Sequence, residues 1–208
     1  MSRRSLDLFL STTGLLILWP LMLIVAIGVR LECNGPVLFR QIRVGKNGQP
    51  FAILKFRSMR PATEASQASV GDIARLTQWG KLLRRTKLDE LPQLFNVIRG
   101  DMSLVGPRPE LPHYVSLWSA MDRSVVLSVR PGITDFASLV YRREEHILAR
   151  QNAPEEYYRQ VILPHKLRWA RFYVRRATAS LNLWLIIQTA AVLGGLPARM
   201  SKLSLPEN

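Results

Sequence analysis

The chain has one cysteine, Cys33, and three histidines. A lone thiol excludes an intrachain disulfide framework and fits a reducing compartment, and no Cys/His cluster has the spacing of a zinc site. Acidic residues are also scarce: 15 Asp and Glu stand against 29 Lys and Arg, for a formal net charge of +14. That surplus calls for an anionic partner, whether nucleic acid, an anionic bilayer or a phosphorylated substrate, and charge alone does not choose among them. No internal repeat or low-complexity tract is present. The 208 residues allow one domain with an attached membrane element, but not two domains of ordinary size.

What is present begins with an apolar run. Residues 8–29 contain no ionisable side chain. As a straight helix they would reach about 33 Å, enough to cross a hydrocarbon core of about 30 Å. Pro20, near the middle, removes one N–H and crowds the carbonyl of Leu16, so a kink or break at depth is expected. Arg3 and Arg4 precede the run, and Arg30, Arg40, Arg43 and Lys46 follow it. The preference of cations for the cytoplasmic side therefore pulls both ends the same way. The expectation is a re-entrant helix-break-helix over residues 1–32, with a folded domain over residues 33–208 on the cytoplasmic side. A cleaved signal peptide is the rival, but no small-x-small cleavage site follows.

The densest chemistry lies in residues 83–110. Arg84, Arg85 and Lys87 precede the pair Asp89-Glu90. After them comes Gly106-Pro107-Arg108-Pro109, a tight loop whose two prolines fix the backbone on either side of one guanidinium. Cations so arranged fit a polyphosphate. Carboxylates among them would repel it, unless one holds a bridging divalent cation and the other does chemistry. The blander role for Asp89 is to cap a helix that starts at Glu90, with Pro92 in its first turn. The two roles are compatible, because a helix N-terminus also favours a bound anion.

Around this stretch, residues 35–59 read as two β-rich runs about a Lys46-Asn47-Gly48 turn, with Lys55 and Arg57 on one face. Residues 61–71, rich in Ala, Ser and Thr, read as a lid over a nucleotide or an idle surface loop. From Asp72, a candidate cap, the positions Ile73, Leu76, Trp79, Leu82 and Leu83 recur at helical spacing. Leu91, Leu94, Phe95 and Ile98 form a second stripe, ended by Gly100. Residues 111–127 read as one helix burying Tyr114, Leu117, Trp118, Met121 and Val125, and Arg130-Pro131-Gly132-Ile133-Thr134 as a tight turn. Residues 154–176, interrupted by Pro164, form a basic amphipathic region whose Trp169, Phe172 and Tyr173 suit a lipid headgroup layer. Residues 181–196 are apolar but too short to span comfortably. They are expected to lie in the interface or to pack on the N-terminal hairpin, which makes residues 154–196 interfacial helices.

The run Leu88-Asp-Glu-Leu-Pro-Gln-Leu-Phe-Asn-Val-Ile-Arg-Gly-Asp-Met-Ser-Leu-Val-Gly-Pro-Arg-Pro109 resembles the signature of the bacterial sugar transferases, also called monotopic phosphoglycosyl transferases. The apolar N-terminus, residues 39–59 and residues 130–134 extend the likeness over about two thirds of the chain. The resemblance implies an α/β fold: a small helix-rich, membrane-associated domain with a short β-hairpin. It further implies transfer of a sugar-1-phosphate from a UDP-sugar to polyprenyl phosphate, with release of UMP, at the cytoplasmic face of a bacterial inner membrane. Such a step initiates synthesis of a surface glycan or glycoconjugate. Carried over residue by residue, Asp89 becomes the nucleophile that forms a phosphosugar–enzyme intermediate. Glu90 becomes a ligand of Mg²⁺, Arg108 with Lys55 and Arg84 the grip on the diphosphate, and Pro20 the membrane break.

The chain also departs from the family pattern. Many members continue after the threonine with Gly-Trp-Ala-Gln-Val-Asn-Gly-Arg. Here Asp135-Phe136-Ala137-Ser138-Leu139-Val140-Tyr141-Arg142 follows, and then Glu144-Glu145, which leaves the sugar open. An acidic residue common before the later aromatic pair is replaced by Ala170-Arg171, and no catalytic role is carried to it. The partners implied are a UDP-sugar, polyprenyl phosphate and the cytoplasmic leaflet, with no nucleic acid; a homodimer is left open. The alternative is a non-enzymatic, membrane-anchored basic module that holds anionic lipid or nucleic acid. It has no use for Asp89-Glu90.

Overall fold

The computed structural model describes residues 3–60 and 75–196, so the stretch 61–71, read above as a lid or an idle loop, lies outside the described residues. Helix α1 (Arg3–Glu32) is a single helix with Pro20 inside it. Proline deletes one hydrogen bond, at the carbonyl of Leu16, while the turns on either side keep theirs, and Pro20 lies on an exposed face where its ring displaces no neighbour.

Both ends of α1 are bound to the same folded body. Arg3 donates to the carbonyl of Val105 at 2.6 Å and to the Tyr173 hydroxyl, and Arg4 to the carbonyls of Val97 at 2.7 Å and Ile98 at 3.0 Å. The buried Asp7 carboxylate accepts the Ser103 hydroxyl at 2.7 Å. At the far end the Glu32 carboxylate accepts the N–H groups of Gln78 at 2.9 Å and Trp79 at 2.8 Å. Between these anchors Gly28 makes room for an indole, since a Cβ there would lie 1.1 Å from Trp79 Nε1. The opposite face of the helix exposes Phe9, Leu16, Ile17, Trp19, Ile24 and Ile27.

Strands β1 (Leu38–Val44) and β2 (Pro50–Phe56) pair antiparallel, Leu38 opposite Phe56 through Val44 opposite Pro50, around the Lys46–Gly48 turn. The candidate cap Asp72 and Ile73 lie outside the described residues, and helix α2 spans Gln78–Thr86. Leu76 is taken into a bridge with Met59, and Thr77 caps the helix by accepting the Gly80 N–H at 2.8 Å. A 3₁₀ turn (Leu88–Glu90) leads to α3 (Gln93–Arg99), which ends at Gly100 with φ +96°. Asp89 caps neither: the residue preceding α3 is Pro92, with no side-chain bond.

The supposed turn at residues 130–134 contains a strand. β4 (Gly132–Thr134) pairs parallel with β3 (Ser103–Val105). The approach is so close that a Cβ on Gly132 would meet the Gly106 nitrogen at 2.0 Å. The single helix expected over 111–127 is split into α4 (Pro112–Ser116) and α5 (Ala120–Val126), because Ser119 caps the second by accepting the Asp122 N–H at 3.0 Å. The split turns Val126 inward with Tyr114 and Trp118, and leaves Leu117 and Met121 exposed.

Short helices α6 (Phe136–Val140), α7 (Glu144–Leu148) and α8 (Pro154–Tyr157) lead through a π-turn (Tyr158–Ile162) into α9 (Leu163–Arg176). Pro164 falls in the first turn of α9, where its missing N–H is not needed, so it starts that helix without interrupting it. Trp169, Phe172 and Tyr173 are buried in a cluster with Phe136 and Leu185, not laid in a headgroup layer as the sequence implies. The final helix α10 (Ala179–Leu193) buries Leu185 and Val192 against β3, β4 and α6, and exposes Leu183 and Ile187.

Candidate active site

The 3₁₀ turn carrying Asp89 and Glu90 is held between β2, the end of α2 and the loop after β3. Its neighbours Leu88 and Leu91 pack with Phe56 and Leu83 against Val25 and Val29 of α1. The loop is fixed from both sides: Gly106 donates to Thr134 O at 3.1 Å and Gly132 to Pro107 O at 2.9 Å. The backbone N–H of Arg108 donates to the buried Asp135 carboxylate at 3.2 Å.

Glu90 is the centre of the charge cluster. Arg108 grips it in a fork, Nη2 to Oε1 at 2.7 Å and Nη1 to Oε2 at 3.4 Å, and Lys55 Nζ stands 3.3 Å from Oε1. Burial works to raise the Glu90 carboxyl, but Arg108 and then Lys55 outweigh it and hold it well below the usual carboxylate range. In return Glu90 raises the Arg108 guanidinium above its ordinary value. Lys55 is lowered by burial, against the attraction of Glu90.

Asp89 is different. It is 5% exposed, and its Oδ1 is buried with no hydrogen-bond partner. Burial raises its carboxyl, Lys55 opposes this, and the adjacent Glu90 charge pushes it further up. Four of the residues selected from the sequence, Lys55, Asp89, Glu90 and Arg108, therefore form one cluster.

Arg84 reaches its edge, and Pro20 belongs to α1 away from it. The Arg84 Nε donates to Ser58 Oγ at 2.9 Å, and its Nη1 pairs with Glu145 of α7, so a carboxylate occupies the cation expected to meet phosphate. Arg57, which the strand pattern puts on the face of Lys55, donates to the carbonyl of Pro36 at 2.8 Å.

Sequence reading missed a second cluster behind the loop. Glu110 accepts the Tyr158 hydroxyl at 2.6 Å and pairs with Arg43 at 3.6 Å and Lys166 at 3.7 Å. Lys166 also pairs with Glu144 at 2.6 Å. Burial would raise Glu110, but Lys166 and Arg43 overcome it and lower it. Arg43 also donates to Pro109 O at 3.2 Å, tying the loop to β1. The one available signal was Glu110 itself, a carboxylate directly after the Pro-Arg-Pro loop. A separate cavity of about 890 Å³, lined by Trp118, Asp122, Glu155, Arg159 and Arg168 among others, contains none of the cluster residues and mixes cations with carboxylates.

A divalent cation can be tested against the donors present. No group of three or more His, Cys, Asp or Glu forms a metal cage among the described residues. Asp89 and Glu90 supply hard oxygens, one of them without a partner. That set fits Mg²⁺, which is commonly held by one or two carboxylates with substrate phosphates and water completing the shell.

Comparison with known proteins bears on the whole arrangement. A UDP-glucose:undecaprenyl-phosphate glucose-1-phosphate transferase of Xanthomonas campestris pv. campestris is 40% identical over 198 residues, covering 90% of this chain and 38% of the relative. A UDP-N-acetylgalactosamine-undecaprenyl-phosphate N-acetylgalactosaminephosphotransferase of Aeromonas hydrophila is 43% identical over 147 residues, 67% of this chain and 34% of the relative. A glucose-1-phosphate transferase of Caulobacter vibrioides, with the same description as the first, is 42% identical over 142 residues, 66% and 53%. The chain thus spans a minor part of the first two relatives and 53% of the third. Residues 1–195 match the family described as bacterial sugar transferase, and the chain belongs to that family.

Proposed function

We propose that this protein transfers a sugar-1-phosphate from a UDP-sugar to a polyprenyl phosphate, with release of UMP, through a covalent intermediate on Asp89. The observation that carries the reading is the contrast inside one turn. Glu90 is bonded through both oxygens, while the adjacent Asp89 is buried with an oxygen that meets nothing. A buried polar atom without a partner in a cation-rich cleft is poised for a ligand or for chemistry.

In this reading the Asp89 carboxylate attacks the β-phosphorus of the donor. The bond from that phosphorus to the bridging oxygen breaks, and UMP leaves with the electron pair. Arg108 and Lys55 hold the diphosphate and stabilise the charge that gathers on the leaving oxygen. Glu90 keeps both cations aligned before substrate arrives, and would hold Mg²⁺, which when bound neutralises phosphate charge. The acyl phosphate on Asp89 is reactive enough to be discharged onto a weakly nucleophilic lipid phosphate.

The exposed apolar face of α1 and the outer face of α10 support attachment to a bilayer. Because Arg3, Arg4, Asp7 and Glu32 all bind one folded body, both ends of α1 belong on one side of it. With UDP-sugars made in the cytosol, that side is the cytoplasmic face of the bacterial inner membrane. The relatives are named for glucose and N-acetylgalactosamine, so UDP-glucose and UDP-N-acetylgalactosamine are the first donors to try. The test is UMP release from a panel of UDP-sugars with undecaprenyl phosphate and Mg²⁺. Release with at least one donor is expected, and none with any donor would sink the proposal.

A further inference from the structure

Lys87 is unusual for its backbone and for its isolation. It terminates α2 with φ +58° and ψ +17°, a left-handed conformation that costs an ordinary L-residue energy and that helices usually give to glycine or asparagine. The residue is half-buried and, among the described residues, its side chain makes no hydrogen bond or ion pair, although its charge is felt at Asp89 and Glu90. The other cations of the site are already engaged: Lys55 and Arg108 on Glu90, and Arg84 on Ser58 and Glu145. A long cation in a left-handed position, two residues before Asp89 and within reach of its charge, has donors left for an anion.

Its position says which anion. Lys55 and Arg108 approach the acidic pair from β2 and the Pro-Arg-Pro loop. Lys87 approaches from the end of α2, beside Leu88 and Leu91, which pack on Val25 and Val29 of the apolar helix. Helix α2 crosses that helix where Trp79 fills the space at Gly28. A phosphate at the head of an apolar chain lying along α1 would come to the turn that Lys87 opens and that packs on Val25 and Val29.

We propose that Lys87 receives the phosphate of the lipid acceptor, an inference that rests on the transferase reading above. In that half-reaction an oxygen of the acceptor phosphate bonds to the phosphorus held on Asp89. The P–O bond to Asp89 breaks, its electron pair returns to the carboxylate, and the sugar leaves on a lipid diphosphate. Lys87 offsets the repulsion between the two phosphates as they meet. No proton need move if the acceptor enters fully ionised.

The experiment exploits the backbone conformation. Lys87→Gly removes the ammonium and also relieves the positive φ, so a role as helix terminator alone predicts an unharmed or improved enzyme. In the full chain, with the preferred UDP-sugar and undecaprenyl phosphate in detergent micelles, we expect Lys87→Gly to raise KM for the lipid phosphate roughly tenfold or more. KM for the UDP-sugar should stay within about twofold, with a melting temperature at or above that of the unmodified chain. Lys87→Arg, which keeps both cation and conformation, should restore the acceptor KM. An unchanged acceptor KM in Lys87→Gly would reduce Lys87 to a cap, and an equal rise in both KM values would assign it to the donor diphosphate; either overturns the proposal. Failure of the unmodified chain to release UMP from any UDP-sugar would instead overturn the transferase reading, before any variant is compared.

Discussion

Glu90 and Glu110 are buried alike, each between two cations from distant elements, yet their surroundings differ. Around Glu110 the charges close on themselves: Arg43 and Lys166 flank it and the Tyr158 phenol donates to it. Burial and then Glu110 raise that phenol well above its ordinary value, so it stays a donor. Around Glu90 the closure is just as tight, but the next residue in the chain is a carboxylate with a buried, unpartnered oxygen. Burying a charge does not mark an active site. What marks it is an unsatisfied anion set beside cations that are already organised.

The largest effect expected from this contrast is at Asp89. Asp89→Asn keeps the shape and removes the proposed nucleophile, so turnover should fall on the order of 10⁴-fold or more. Stability should move the other way. Because burial raises the Asp89 carboxyl, its contribution favours the fold at pH below the unfolded carboxylate value and is lost as pH rises through the raised one. At neutral pH the ionised group is a burden, and the variant should melt at or above the parent temperature. Radiolabelled UDP-sugar without acceptor should leave label on the parent protein and none on Asp89→Asn. Ordinary turnover in that variant would end the comparison.

Glu110→Gln should show the reverse profile. It removes the only carboxylate paired with Arg43 among the described residues and one of the two paired with Lys166, and breaking a buried pair of this kind costs up to about 3–5 kcal/mol. Since Glu110 is held below the usual range, its stabilising contribution is present above the unfolded carboxylate value and is lost as pH falls through the lower folded one. The parent should therefore lose stability in acid, and Glu110→Gln should lose less of its own over that window. Chemical denaturation at neutral and acid pH reads both effects. A variant with unchanged stability and abolished turnover would place Glu110 with Asp89 and erase the distinction drawn here.

The two clusters were not equally legible in the sequence. Lys55, Asp89, Glu90 and Arg108 could be named because they fall in short motifs whose spacing survives in one dimension, and Gly100 and the β-hairpin could be named from local turn chemistry. The Glu110 cluster draws Arg43, Tyr158 and Lys166 from elements far apart in the chain, and no local pattern announces such a meeting. Strands β3 and β4 are three residues each, too short for a period-two signal, and rest on the closeness that Gly106 and Gly132 allow. Trp169, Phe172 and Tyr173 read as membrane aromatics because basic residues surround them. Helical spacing turns Arg168, Arg175 and Arg176 outward and the rings into the core.

The smallest effect should come from Pro20→Leu, which asks whether the Asp89 turn depends on a break in α1. The helix is a single one with Pro20 inside it. The turn touches α1 further on, at Val25 and Val29, through Leu88 and Leu91. Leucine restores one hydrogen bond on an exposed face, and the bonds of Arg4, Asp7 and Glu32 to the folded body remain. Turnover should change by no more than about twofold, under roughly 0.5 kcal/mol of barrier. The accompanying topology should also persist. In a Cys33→Ser background, single cysteines introduced by Ser5→Cys and by Lys46→Cys should both resist a membrane-impermeant thiol reagent in intact spheroplasts and react after lysis, with or without Pro20. Labelling of position 5 alone in intact cells would put the two ends of α1 on opposite sides of the bilayer. That arrangement would pull Arg4 from Val97 and Asp7 from Ser103, and Asp89 would then be held by α2, β2 and the loop without a helix fixed at both ends.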